Sequence, residues 1–173
     1  YNIFIHSPRF FNKKLLYFYD IAGEYFNSRA NIRTQKHYKY IEGLIFVMDP
    51  LCMAQGERYI KKDESVKSRF RDIKNIHDFI DRFILGLREI NQIEPKKLIT
   101  IPAAVVINKM DLFGYSGPIE DFLRELGEDA IIKKFEYNFA NYKFFSCSLF
   151  QYEKTATAEV VSWILSEANS ELK

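Results

Sequence analysis

Cysteine is almost missing from this chain. Cys52 and Cys147 are the two in 173 residues, too few for a disulfide framework and without the paired spacing of a structural metal site. A reducing, cytosolic setting is the expectation that follows. An excess of charge of one sign is missing too. The 25 Lys and Arg stand against 23 Asp and Glu, a net charge of +2, so composition points to neither nucleic acid nor an anionic membrane as a partner. The most basic stretch, RYIKKDESVKSRFRDIK, also holds Asp63, Glu64 and Asp72 and reads as a solvated helix face. No apolar run approaches the ~18 residues that span a bilayer, so no transmembrane segment is expected. His6, His37 and His77 share no metal-ligand spacing and read as packed or solvent-facing side chains.

Aromatic side chains, in contrast, are plentiful. Sixteen Phe and eleven Tyr fall inside the periodic apolar segments, which marks them as core material; Trp163 is read the same way. The length is that of one domain, residues 1–173, with room for a sizeable core. YNIFI and KKLLYFYDIAG are β-rich runs separated by a turn at Ser7-Pro8, the pattern of an antiparallel hairpin. GLIFVMDP is a continuous apolar run ended by Asp49-Pro50 and predicts a strand buried on both faces. Asp49 itself reads as part of a plain turn, with approach to a site at the strand tip as the alternative.

From Val66 to Ile90 apolar residues recur every three or four positions. This spacing predicts an amphipathic helix of about eight turns, capped near Asp63 and ended by Glu94-Pro95. LITIPAAVVIN returns to strand character with Pro102 at its entrance. GPIEDFLRELG has Pro at a helix start and Gly127 just past its end, as short helices prefer. A helix around Glu128 to Phe139, a last strand YKFFSCS and a terminal amphipathic helix TATAEVVSWILSEAN complete the pass. Strands alternating with helices define an α/β fold: a mostly parallel sheet with helices on both faces and one antiparallel hairpin.

Ligands of open parallel sheets bind beyond the carboxyl ends of the strands. Three such ends carry unusual residues: Asp20-Ile21-Ala22-Gly23-Glu24, Asn108-Lys109-Met110-Asp111 and Ser146-Cys147-Ser148. Each alone has an ordinary reading, as a tight strand-to-loop turn, a capping cluster and a turn respectively. Together and in this order, D-x-A-G-E, N-K-x-D and S-C-S resemble the P-loop GTPases of the Ras-like and heterotrimeric G-protein kind. The resemblance implies a G-domain-like fold, guanine nucleotide (GTP or GDP) and Mg²⁺ as cofactors, and a protein effector or neighbouring domain as partner.

It also implies roles. Asp111 would read guanine, because a carboxylate can accept from both N1–H and N2–H, whereas adenine presents an acceptor at N1. Asn108 would tie neighbouring loops, and Lys109 would lay its methylene stem over the base. In the Ser146-Cys147-Ser148 turn, a backbone N–H, that of Ser148, would donate to guanine O6, so Cys147 needs no thiol chemistry. Asp20 would hold Mg²⁺ through water. Gly23 would offer its N–H to the terminal phosphate, and residues 24–40 would form the segment that moves on hydrolysis. Glu24 stands where the Ras-like pattern has a Gln that orients the attacking water, which leaves the rate of hydrolysis open.

One expected part is missing: none of the seven glycines makes the G-x-x-x-x-G-K-[ST] phosphate loop. If YNIFI and KKLLYFYDIAG are the second and third strands of such a fold, the domain is incomplete at its N-terminus, with its first strand and phosphate loop upstream of Tyr1. Without that central strand, LLYFYD and GLIFVMD would each present an open edge. The distance from Asp20 to Asn108 further suggests that residues 52–102 are an enlarged or inserted region offering a partner surface. Two functional readings remain: a GTP-dependent molecular switch with slow hydrolysis, and a G-domain relative used as a structural or interaction module without turnover.

Overall fold

The computed structural model describes residues 2–5, 14–17, 36–53, 55–56, 76–148 and 154–168. It is an α/β protein organised on a three-stranded parallel sheet. In chain order, the strands are β1 (Asn2–Ile5), β2 (Lys14–Tyr17), β3 (Leu44–Met48), β4 (Ala103–Ile107) and β5 (Tyr142–Ser146). The helices are α1 (Ile76–Ile90), α2 (Ile119–Glu125), α3 (Asp129–Asn138) and α4 (Lys154–Ala168). β3, β4 and β5 pair in parallel in that order, with Ile45 opposite Ala104 and Val105 opposite Phe144. β1 and β2 pair antiparallel in a separate two-stranded sheet. The residues that would turn the expected hairpin between them lie outside the described residues, and among those described neither strand is hydrogen-bonded to the parallel sheet.

The central strand is the simplest to explain. Ala103 to Ile107 is apolar at every position and buried at every position, as a parallel strand sandwiched between helix layers must be. Alternation sends Ala103, Val105 and Ile107 to one face and Ala104 and Val106 to the other. The first face forms the main core with Phe46 and Met48 of β3, Phe144 of β5, Ile80, Phe83, Ile84 and Leu87 of α1, and the buried sides of α2 and α3. Phe46 is its hub: its ring meets Phe83, Phe135 and Phe139 edge-on at centroid distances of 5.0, 5.1 and 6.4 Å, the geometry that aromatic quadrupoles favour. This hub is where part of the aromatic excess is spent. α1, within the stretch read as enlarged or inserted, contributes to this central core.

The second face is smaller. Val160 and Ile164 of α4 cover Ala104, Val106 and Phe145, with Trp163 set edge-on to Phe145 at 5.7 Å. Gly43 marks how closely α4 approaches the start of β3, since a Cβ there would stand 2.5 Å from the Ile164 side chain. Further along, that cover ends. Ile45 and Val47 are 39% and 66% exposed, so GLIFVMDP is not the doubly buried strand its apolar run predicts. The reason is position: among the described residues β3 is the edge of the parallel sheet, and α4 packs over β4 and β5.

Of the expected long helix, the Asp63 cap and the positions from Val66 to Ile73 lie outside the described residues; the described part ends earlier than expected, at Ile90 and not at Glu94. Gln92 takes the left-handed conformation (φ 53°), and Gln92 N–H and Ile93 N–H donate back to the carbonyls of Glu89 and Arg88 at 3.3 and 2.8 Å. This is the paired C-terminal closure usually made with glycine. Gly127 (φ 77°) closes α2 in the same way. Arg88, buried just before the α1 terminus, donates to the carbonyls of Glu94 and Lys97 and to Asn138 Oδ1 at 3.0, 2.7 and 3.1 Å. It clamps the loop after α1 onto α3.

Tyr38 precedes β3 in a 3₁₀ turn (Lys36–Lys39) and packs edge-on to Phe83 at 5.7 Å. Burial penalises its phenolate and raises its pKa from 10.0 to about 12. The folded state therefore holds a proton that the unfolded chain releases first, so this contribution to stability is intact below pH 10 and is lost as pH rises toward about 12. Tyr38→Phe keeps the ring and removes the titrating group. Its alkaline unfolding, followed by circular dichroism, should begin at higher pH than that of the wild type; identical curves would show that Tyr38 does not govern this limb.

Candidate functional site

The three parallel strands end side by side, and their tips are first tied through the main chain. Asn108 N–H donates to the Met48 carbonyl at 2.9 Å, joining β4 to β3; Cys147 N–H donates to the Ile107 carbonyl at 2.8 Å, joining β5 to β4. Met110 N–H returns to the Cys147 carbonyl at 3.2 Å. After β3 the chain enters a 3₁₀ turn (Pro50–Cys52) and after β4 another (Met110–Leu112). Buried Leu51 and Met53 anchor the first turn, and buried Met110 and Phe113 the second. The polar side chains of the rim thus project from backbone held by the core below it, the arrangement that gives a site precision.

Two side-chain bridges span the tips in opposite directions. The Lys109 ammonium pairs with the Asp49 carboxylate, reaching from β4 toward β3. Ser148 Oγ donates to Asp111 Oδ1 at 2.6 Å, reaching from the β5 side toward the β4 turn. Ser148 is buried and Asp111 half-buried. Asp49 is held by a further bond, its Oδ1 accepting from Leu51 N–H at 3.0 Å, which caps the turn that Pro50 begins. Asn108 Oδ1 accepts from Lys109 N–H at 2.8 Å.

These bridges depend on an unusual backbone. Lys109 is left-handed (φ 59°, ψ 28°), and with Gln92 it is one of two non-glycine residues of positive φ among the described residues. Gln92 closes a helix, whereas Lys109 turns the chain sharply between a buried strand and a 3₁₀ turn. The conformation costs an ordinary side chain ~1–2 kcal/mol, and such outliers concentrate where a site demands a particular geometry.

Of the residues singled out in the sequence, the structure gathers Asn108, Lys109, Asp111, Ser146, Cys147 and Ser148 at adjoining strand tips. Asp20, Gly23 and Glu24 lie outside the described residues. Within the gathered set, two contacts differ from those the resemblance implies. Ser148 engages Asp111 through its hydroxyl, an additional use of a residue expected to act through its N–H. Asn108 makes its inter-strand tie through its backbone N–H, while its side-chain oxygen turns locally to Lys109. Asp49, read from the sequence as part of a plain turn, both caps that turn and joins the rim. Its legible signal was a carboxylate directly after a strand, at the same sheet end as a lysine with no neighbouring acid in the adjacent positions.

Among the described residues no three His, Cys, Asp or Glu side chains converge as a metal site, and no helix is long and apolar enough to cross a membrane. Comparison with protein-family models, with curated proteins and with solved structures gives no match.

The left-handed lysine makes a stability prediction. Lys109→Gly relieves the strained backbone but adds freedom to the unfolded chain, by about 0.4–1 kcal/mol, and removes a partly exposed ion pair whose contribution is at most about 1 kcal/mol. These effects oppose one another, so urea denaturation should find Lys109→Gly within about 1 kcal/mol of wild type. Lys109→Ala loses the ion pair and keeps the strain, so it should be the less stable of the two. The reverse ranking would show that the left-handed turn carries no strain.

Proposed function

We propose that the rim formed by the tips of β3, β4 and β5 binds the base of a guanine nucleotide, GTP or GDP, and that the protein acts as a GTP-dependent molecular switch with slow hydrolysis. The observation that carries this reading is the placement of Asp111. It stands on a turn directly after the buried central strand, half-buried and braced by the Ser148 hydroxyl, with Lys109 two residues before it held in the opposite direction.

The chemistry suits guanine. A carboxylate oxygen has two lone-pair directions, so Asp111 can keep the Ser148 bond at Oδ1 and still accept from two adjacent donors on a base edge. Guanine offers such a pair at N1–H and N2–H, and adenine does not. The Ser148 bond fixes the carboxylate before a ligand arrives, which lowers the ordering cost of binding. Lys109 lends its methylene stem to the base plane. By the resemblance, Gly23 would face the terminal phosphate, Asp20 would hold Mg²⁺ through water, and Glu24 would stand beside the attacking water. Mg²⁺, when bound, would neutralise charge on the phosphates. The P-loop GTPase superfamily, a G-domain fold and a protein effector or neighbouring domain belong to this same proposal.

A second reading has its own support. The rim satisfies itself: Lys109 is paired with Asp49 and Asp111 with Ser148, without help from a ligand. A G-domain-like module that serves as a structural or interaction unit, with no nucleotide turnover, would keep such a rim for its bracing alone.

One titration separates the two. Fluorescent GTP and ATP are added to the full chain with Mg²⁺, and anisotropy is recorded for wild type and Asp111→Asn. The switch reading expects GTP to be preferred over ATP and the substitution to cost about 1.5–3 kcal/mol of GTP binding, as for other hydrogen bonds to charged groups. Equal affinity for the two nucleotides would contradict the assignment of Asp111, and no binding of either would favour the structural module.

A further inference from the structure

We infer that Asp49 is a positioning residue for Lys109: it draws the lysine ammonium to the β3 side of the rim so that the methylene stem, and not the charge, faces the base. The inference rests on the guanine reading of this rim and adds a residue that the motif pattern does not contain.

Four observations converge on it. The Asp49–Lys109 pair joins residues 60 positions apart in sequence, from two different strand tips. Asp49 is itself immobilised, because Leu51 N–H binds its other carboxylate oxygen at 3.0 Å and the following turn is pinned by buried Leu51 and Met53. The main chains of the two tips are tied as well, through Asn108 N–H and the Met48 carbonyl. Finally, the left-handed backbone at Lys109 sends its side chain toward Asp49 while Asp111 is held toward Ser148. The two reading residues are thereby drawn apart, one toward each neighbouring strand, over the tip of β4.

A lysine stem has four rotatable bonds and a strongly hydrated head. Left alone it would sample many orientations, and covering a base would require fixing them at the moment of binding. Asp49 fixes the head in advance. The side chains of Lys109 and Asp49 are 42% and 28% exposed, so solvent screens the pair and its contribution to folding is small. A role limited to holding the fold would therefore leave little trace, whereas a positioning role would show in how long the base is retained. Removing Asp49 also leaves the Lys109 charge unpaired beside an anionic ligand, so association should be unchanged or faster, and the loss should appear in dissociation.

The test uses stopped-flow dissociation of fluorescent GDP from the full chain, with thermal unfolding of each variant as the control for folding. Asp49→Asn should accelerate dissociation by about three- to tenfold, the range expected when one of two directly coupled side chains is lost. Its thermal midpoint should stay near that of wild type, and Asp49→Glu should recover part of the slow rate. In a Lys109→Met background, which keeps a stem and drops the ammonium, Asp49→Asn should add nothing. Wild-type dissociation in Asp49→Asn, or full additivity with Lys109→Met, would overturn the positioning role and leave the guanine reading standing. Failure of the wild-type chain to hold GDP at all would overturn both.

Discussion

Everything at the rim depends on the burial of Ala103 to Ile107. A strand covered on both faces has no freedom to shift register, because a slip of one residue would exchange Ala104 and Val106 with Ala103, Val105 and Ile107 between two cores of different depth. The end of such a strand is therefore fixed to within the packing tolerance of the interior. Asn108 to Asp111 begin at that fixed point. Their neighbours on either side, Asp49 and Ser148, end strands that the same central strand holds in register. The polar cluster gains its geometry from apolar packing below it.

That dependence explains the pattern of satisfied and strained groups. Side-chain bridges run outward from β4 to both neighbours, and the backbone reaches those bridges through a left-handed residue that is neither glycine nor asparagine. Among the non-glycine described residues the left-handed conformation occurs there and at Gln92, while the buried strand beneath is apolar at every position. A conflict between local and global preference confined to one position on the rim is the signature expected of a site and not of a folding element. It does not name the ligand by itself; the choice of guanine comes from the acceptor chemistry of Asp111.

Much of the fold was legible, for reasons that follow from periodicity. The run AAVVI read as part of a strand and is one. The Pro118 and Gly127 punctuation marked α2; of the apolar face expected on α4, Val160, Val161, Ile164, Leu165 and Ala168, the structure buries Val160 and Ile164 and half-buries the other three. What escaped was tertiary. GLIFVM is as apolar as AAVVI, yet Ile45 and Val47 face outward because β3 lies at the edge, a fact of neighbours and not of composition. The end of α1 was misplaced because Gln92 takes a conformation that sequence reasoning assigns to glycine. At the site, the three strand-tip motifs were visible, but the bonds between them were not: Lys109 with Asp49 and Asp111 with Ser148 join residues 60 and 37 positions apart, and no periodic signal connects such pairs.

The proposed guanine-reading rim lies at the tips of β4 and β5. Amide chemical-shift mapping tests it most directly: ¹⁵N-labelled full-length chain is titrated with GDP and, separately, with ADP, each with Mg²⁺. GDP should shift the amides of Asn108 to Asp111 and of Cys147 and Ser148 together, in a saturable manner that ADP does not reproduce. Shifts of equal size with both nucleotides, or GDP-induced shifts that leave these six amides unmoved, would contradict it.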